Sequence, residues 1–128
     1  MHTPRLFNKR GFGRAQEAKA ARYLRAQGLK LLCKNYHCRF GEIDLVMADS
    51  QTLVFVEVRF RRTAQYGSAI ATVTQTKQRK IRLTAADYLQ RHPRYSACPC
   101  RFDVIGLSTG CESIAANSSI DWIKDAFQ

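Results

Sequence analysis

The stretch that decides the fold runs Gly41-Glu42-Ile43-Asp44-Leu45-Val46-Met47-Ala48, breaks at Asp49-Ser50-Gln51-Thr52, and resumes as Leu53-Val54-Phe55-Val56-Glu57-Val58-Arg59. Both halves are rich in β-branched and aromatic residues around a turn-like break, so they read as the antiparallel strands of a hairpin. With the turn centred between Ser50 and Gln51, Asp44 falls opposite Glu57 and Glu42 opposite Arg59, and alternation of faces puts all four side chains on one side. Like charges directly opposed in a sheet are destabilising. One reason to keep two facing carboxylates is a hard divalent cation. Mg²⁺ takes one or two protein carboxylates, several waters and a substrate phosphate. The other reading is that both carboxylates face solvent and that Arg59 or other arginines neutralise them. The hairpin alone leaves both open.

The whole chain sets bounds on partners. Its 128 residues fit a single domain, with no internal repeat or interdomain linker. Lys and Arg number 21 against 10 acidic residues, a net charge of +11, and the pI is near 9.9. Such an excess attracts polyanions, nucleic acid being the commonest, although an anionic membrane surface or a ribosomal particle also satisfies it. No apolar run approaches the ~18 residues of a membrane span. Met1 to Gly13 lacks the apolar core of a signal peptide, so a cytoplasmic protein is expected. Cys33, Cys38, Cys98, Cys100 and Cys111 are spaced C-x4-C and C-x-C. Reduced thiols are expected, with a zinc site of Cys33, His37 and Cys38 as the alternative.

Outward from the hairpin the chain alternates helical and extended patterns. Met1 to Phe12 reads as a flexible basic arm. Arg14 to Gln27 reads as a helix capped at Gly28, with Glu17, Ala20, Ala21 and Leu24 on one face. A carboxylate on that face needs a partner or a metal, unless Glu17 merely complements the helix start. Leu29 to Phe40 is an edge strand before the hairpin, with Leu31, Cys33, Asn35 and His37 on one side. His37 is read as a strand histidine, a ligand or acid role being the alternative.

After the hairpin, Arg59-Phe60-Arg61-Arg62 leads into a polar loop through Tyr66, Gly67 and Ser68. These arginines are placed to hold a phosphate backbone or are a solvated charge run. Thr74 or Thr76 caps a second helix through Arg91, with Ile81, Ala85, Tyr88 and Leu89 inward and Lys77 and Lys80 on a neighbouring flank. His92-Pro93 ends it. Arg101 to Leu107 is a further strand, with Asp103 paired to Arg101 or to a backbone donor. Thr109 to Asn117 is a loop or short strand. Ser119 caps a final turn that packs Ile120, Ile123 and Phe127 inward.

Gly-Glu-Ile-Asp-Leu-Val at 41–46 and Phe-Val-Glu-Val-Arg at 55–59 resemble the core of the YraN-like family of small bacterial endonuclease-like proteins. These are relatives of the restriction-endonuclease-like (PD-(D/E)xK) superfamily and of archaeal Holliday-junction resolvases. The likeness extends to Glu17-Ala18, Tyr23-Leu24, Tyr66-Gly67, Lys77-Gln78 and Arg101-Phe102-Asp103-Val104, and so covers nearly the whole chain.

The resemblance implies an α/β fold, a restriction-endonuclease-like mixed sheet with a central β-hairpin flanked by helices. It implies a site in which Asp44, Glu57 and Glu17 bind Mg²⁺ or Mn²⁺ and Arg59 stands where the motif has lysine. Glu42 tunes that site or pairs with Arg59, and Arg61, Arg62, Lys77 and Lys80 meet nucleic acid. The expected function is metal-dependent endonuclease hydrolysis of DNA phosphodiester bonds, on branched DNA if the resolvase likeness holds. The alternatives are a catalytically weak or inactive nucleic-acid-binding protein on the nuclease fold, or a small RNA- or ribosome-associated protein. A homodimer is a possible assembly, and no membrane partner is expected. A lysine at position 59 could lose a proton and help generate hydroxide, whereas arginine stays protonated, so altered or weakened activity follows from Arg59.

Overall fold

The computed structural model describes residues 9–61, 69–108 and 120–128. Helix α1 (Lys9–Ala26) leads into strands β1 (Lys30–Cys38), β2 (Gly41–Asp49) and β3 (Thr52–Arg61). A 3₁₀ helix (Ala69–Thr72), helix α2 (Gln75–Arg91), a 3₁₀ turn (Pro93–Tyr95), β4 (Cys100–Ser108) and β5 (Ile120–Phe127) follow. The five strands lie side by side in chain order. β3 and β4 run parallel, a pairing that needs a long crossover, and α2 provides it. The other neighbours are antiparallel.

The two helices cover opposite faces of this mixed sheet. Ala20, Ala21 and Leu24 of α1 pack with Leu45, Met47, Val54, Val56, Ile105 and Leu107. Ile81, Ala85 and Tyr88 of α2 pack with Val46, Leu53, Phe55 and Val104. Alternate residues of the central strands therefore feed two cores, one per face. This α/β arrangement is the expected one and is consistent with a restriction-endonuclease-like fold.

Local signals set the helix ends. At the C-terminus of α1, Gly28 takes φ +102°. Its N–H reaches the Arg25 carbonyl at 3.0 Å and the Leu29 N–H reaches that of Leu24 at 3.1 Å. That is the Schellman pattern, with buried Leu24 and Leu29 as its apolar contact. Thr74 caps α2, its hydroxyl accepting from the Lys77 N–H at 3.2 Å.

Three expectations need correction. The basic arm was expected to run through Phe12, yet Lys9 to Phe12 belong to α1. Two glycines at about 1 kcal/mol each do not stop a helix already nucleated downstream. Residues 1–8 of that arm lie outside the described residues.

In β1, strict alternation fails at a bulge between Leu31 and Cys33. Leu32 and Cys33 both turn toward the α2 side with Tyr36, while Leu31 packs toward α1.

The expected final turn is strand β5 instead. Ile123 and Phe127, four residues apart, share the α2 face, as the two-residue period of a strand requires, and the register with β4 shifts between Phe102 and Val104. Ile120 packs on the α1 side. Spacings of three and four fit a helix turn, but here Ile120 faces away from Ile123 and Phe127, as in a strand. Ser119 and the loop from Thr109 to Asn117 lie outside the described residues.

Candidate active site

The hairpin register holds from Asp49–Thr52 to Leu45–Val56, as its turn predicts. Beyond that point Asp44 turns its own Oδ2 onto the Val58 N–H at 2.8 Å. Ile43 packs toward α2 and Leu45 toward α1, so face alternation breaks across Asp44. A cleft of about 270 Å³ opens at this end of the hairpin. It is lined by Glu17 of α1, Glu42 and Asp44 of β2, Glu57 and Arg59 of β3, and Lys77 of α2. Helix α1 and the two hairpin strands thus bring the predicted acidic residues together, and α2 adds Lys77.

The three carboxylates differ in environment. Glu57 has a side chain only 5% exposed, and its Oε2 receives Arg59 Nη1 at 3.2 Å and Lys77 Nζ at 3.6 Å. Burial raises its pKa, and the two cations pull it back. For Asp44, burial first and the charge of Glu57 second push the pKa up to about 8, against the Val58 hydrogen bond, with Glu17 adding to the rise. Glu17 Oε1 is buried without a hydrogen-bond partner.

Arg59 is built into the scaffold. Its Nε donates to Thr72 Oγ1 at 2.9 Å and its Nη2 to the Thr72 carbonyl at 3.0 Å. The Thr72 hydroxyl in turn donates to the Ala69 carbonyl at 2.6 Å. The Glu42–Arg59 pair expected from the register does not form, because Thr72 and Glu57 hold the guanidinium. Glu42 is exposed at the cleft.

Gly106 lies beside Arg59 in β4. A Cβ there would stand 2.5 Å from Ala69 Cβ, so glycine is what lets the 3₁₀ helix sit on the sheet. Gly106→Ala is expected to destabilise by about 1–3 kcal/mol through overpacking. An unchanged thermal midpoint would mean that the 3₁₀ helix is not seated there.

The remaining predicted residues lie around this cleft or away from it. Arg61 ends β3 beside Ser108. Lys80 packs over Gly41 and does not line the cleft. Arg62, Tyr66, Gly67 and Ser68 lie outside the described residues, as does Cys111. His37 is exposed, its Nδ1 3.3 Å from the Asn35 carbonyl. Cys33, Cys38, Cys98 and Cys100 are free.

Among the described residues no three of His, Cys, Asp and Glu are arranged to hold a metal ion. The zinc alternative at Cys33, His37 and Cys38 therefore finds no assembled site, and Glu17, Asp44 and Glu57 share a cleft without forming a closed cage. Their chemistry still fits a hard divalent ion, which needs few protein ligands, and the unsatisfied Glu17 Oε1 is a ready oxygen donor. Thr72 was missed in the sequence, where nothing marks it. Gly106 carried a signal, since a glycine inside an apolar strand marks close approach.

A family model described as "Uncharacterised protein family UPF0102" matches residues 16–107, which include every described residue lining the acidic cleft except Gly13. The chain belongs to the UPF0102 family. A UPF0102 protein of Alcanivorax borkumensis is 44% identical over 124 residues, 97% of each chain. One from Nitrosococcus oceani is 47% identical over 116 residues, 91% of this chain and 90% of the relative. One from Methylobacillus flagellatus is 50% identical over 111 residues, 87% and 91% of the two chains. The YraN-like resemblance thus holds at the level of the family. Among the described residues of this UPF0102 chain, no helix is long and apolar enough to cross a membrane.

Proposed function

We propose that this UPF0102 chain is a metal-dependent endonuclease of the PD-(D/E)xK kind, hydrolysing DNA phosphodiester bonds in the cytoplasm, with branched DNA among its candidate substrates. The observation that carries this reading is the convergence of Glu17, Asp44 and Glu57 in one cleft, with Asp44 pushed up to about 8 by burial and by neighbouring carboxylates. Acidic groups gathered at one point of a protein with net charge +11, with Glu17 Oε1 left unsatisfied, suggest a site for a cation and an anionic substrate.

Glu17, Asp44 and Glu57 would hold Mg²⁺ or Mn²⁺, which when bound supplies charge stabilisation at the phosphate and a lower pKa for an attacking water. The Arg59 guanidinium supplies positive charge and no base. Arg61, Arg62 and Lys80 would meet the phosphate backbone, contacts that position without reading sequence.

A second reading, nucleic-acid binding on the nuclease fold without catalysis, is favoured by the two cations on Glu57 Oε2. Single-turnover cleavage of linear, flapped and four-way DNA in Mg²⁺ and in Mn²⁺ separates the two. The nuclease reading expects metal-dependent cutting by the parent and none by Asp44→Asn or Glu57→Gln. Absence of cutting on every substrate, with binding whose log–log salt slope is roughly −0.9 per phosphate on duplex DNA, leaves the second reading.

A further inference from the structure

Two cations share Glu57 Oε2, and they are held very differently. Arg59 engages Glu57 and Thr72 through three nitrogens at 2.9 to 3.2 Å. Its partner Thr72 is fixed by the Ala69 carbonyl and, through Ala69, by the close approach over Gly106. Moving Arg59 would mean lifting the 3₁₀ helix.

Lys77 reaches the same oxygen from the first turn of α2 at 3.6 Å, longer than the usual 2.7–2.9 Å of a charge-assisted bond. Its side chain is 37% exposed. Among the described residues Glu57 is its one ionic partner, and the flexible four-carbon stem carries three rotatable donors.

We propose that Lys77 is the exchanging cation of this site: its ammonium leaves Glu57 Oε2 for a substrate phosphate when a divalent ion engages that carboxylate, while Arg59 remains a fixed strut. This rests on the reading of the cleft as a metal-dependent phosphodiester site. The exchange follows from charge. A divalent ion and an ammonium on one carboxylate oxygen repel, and a phosphate drawn to the ion offers the ammonium new acceptors within the same cleft. Lys77 is thus a substrate-contacting residue, and the motif position, Arg59, serves to position Glu57.

Lys77→Met and Lys77→Arg, compared with the parent, test this by Mg²⁺ titration calorimetry and by anisotropy of a labelled DNA duplex with and without millimolar Mg²⁺. Methionine keeps the stem and suits an exposed helix turn, and circular dichroism checks the fold. Lys77→Met should bind Mg²⁺ up to about fivefold more tightly, because the competing ion pair is of the partly exposed kind. It should lose roughly tenfold in duplex affinity, the weight of a charged hydrogen bond, only when Mg²⁺ is present. Lys77→Arg should restore that Mg²⁺-dependent affinity.

An equal loss with and without Mg²⁺ would make Lys77 an ordinary phosphate contact and overturn the exchange. So would duplex affinity untouched in both conditions, or Mg²⁺ affinity untouched by Lys77→Met. A parent that gives no Mg²⁺ heat overturns the metal-dependent reading itself, and the exchange with it.

Discussion

Asp44→Asn is expected to stabilise the metal-free protein, by an amount that grows between about pH 4 and pH 8 and then levels off. Burial and the charge of Glu57 raise the native pKa of Asp44 from 3.8 to about 8. Between those values the native carboxyl is protonated while the unfolded one is ionised, so the native state binds more protons and the parent loses stability as pH rises. Below the unfolded value both states are protonated, and parent and variant should unfold alike. At 1.36 kcal/mol per unit the full shift corresponds to roughly 6 kcal/mol as an upper bound. A gain of a few kcal/mol, on the order of 10 °C in Tm, is the expected result near pH 8. Asparagine preserves an oxygen acceptor for the Val58 N–H, so the backbone contact is retained. Thermal unfolding of both proteins in chelator across this range is the measurement. A Tm difference that stays constant with pH would show that Asp44 is not held in a charge-repelling site.

The second large effect is expected at Asp103, which pairs with Val56 in the sheet. It is fully buried. Its Oδ1 accepts from Arg101 Nε at 3.0 Å and from the Asp125 N–H at 2.9 Å, and its Oδ2 from Trp122 Nε1 at 3.0 Å. Arg101 also bridges to Asp49 in the hairpin turn at 3.1 Å. One carboxylate therefore fills the irregularity in β5 and ties both edges of β4 together. Asp103→Ala leaves the Trp122 and Asp125 donors unsatisfied and the Arg101 charge short of a partner, which should cost about 3–5 kcal/mol. Urea unfolding reads this as a lower midpoint at similar slope. Asp103→Asn, which keeps acceptors for two of the donors, should lose less. A loss under about 1 kcal/mol for the alanine variant would mean that water replaces the carboxylate and β5 does not depend on it.

Much of the fold was legible because its signals are local. The turn at Ser50-Gln51 and the apolar runs on either side set the hairpin register, and the register observed from Asp49–Thr52 to Leu45–Val56 is the one they imply. Ala20, Ala21 and Leu24 on α1, and Ile81, Ala85 and Tyr88 on α2, announced their buried faces by a 3.6-residue period. Gly28 and Thr74 marked helix ends by conformational freedom and capping chemistry. The pairing of Asp103 with Arg101 was also within reach, since two residues apart on a strand share a face. β5 escaped because Ile120, Ile123 and Phe127 fall at spacings of three and four that also fit a helix turn, although Ile120 faces away from the other two.

For the site, the chain by itself determined which residues could be acidic neighbours: Asp44 and Glu57 by their place at the open end of the hairpin, although the register stops at Leu45–Val56 and does not pair them, and Glu17 by its helix face. Tertiary structure alone decided how they are held. Asp44 spends an oxygen on the Val58 N–H, Arg59 is fastened to Thr72, and Lys77 comes from another element to reach Glu57. The physical reason is reach. Periodicity states which way a side chain leaves its own backbone. The partner chosen by a long cation or a buried carboxylate depends on which distant segment crosses within a few ångströms, and Gly106 controls that crossing by admitting Ala69 against the sheet.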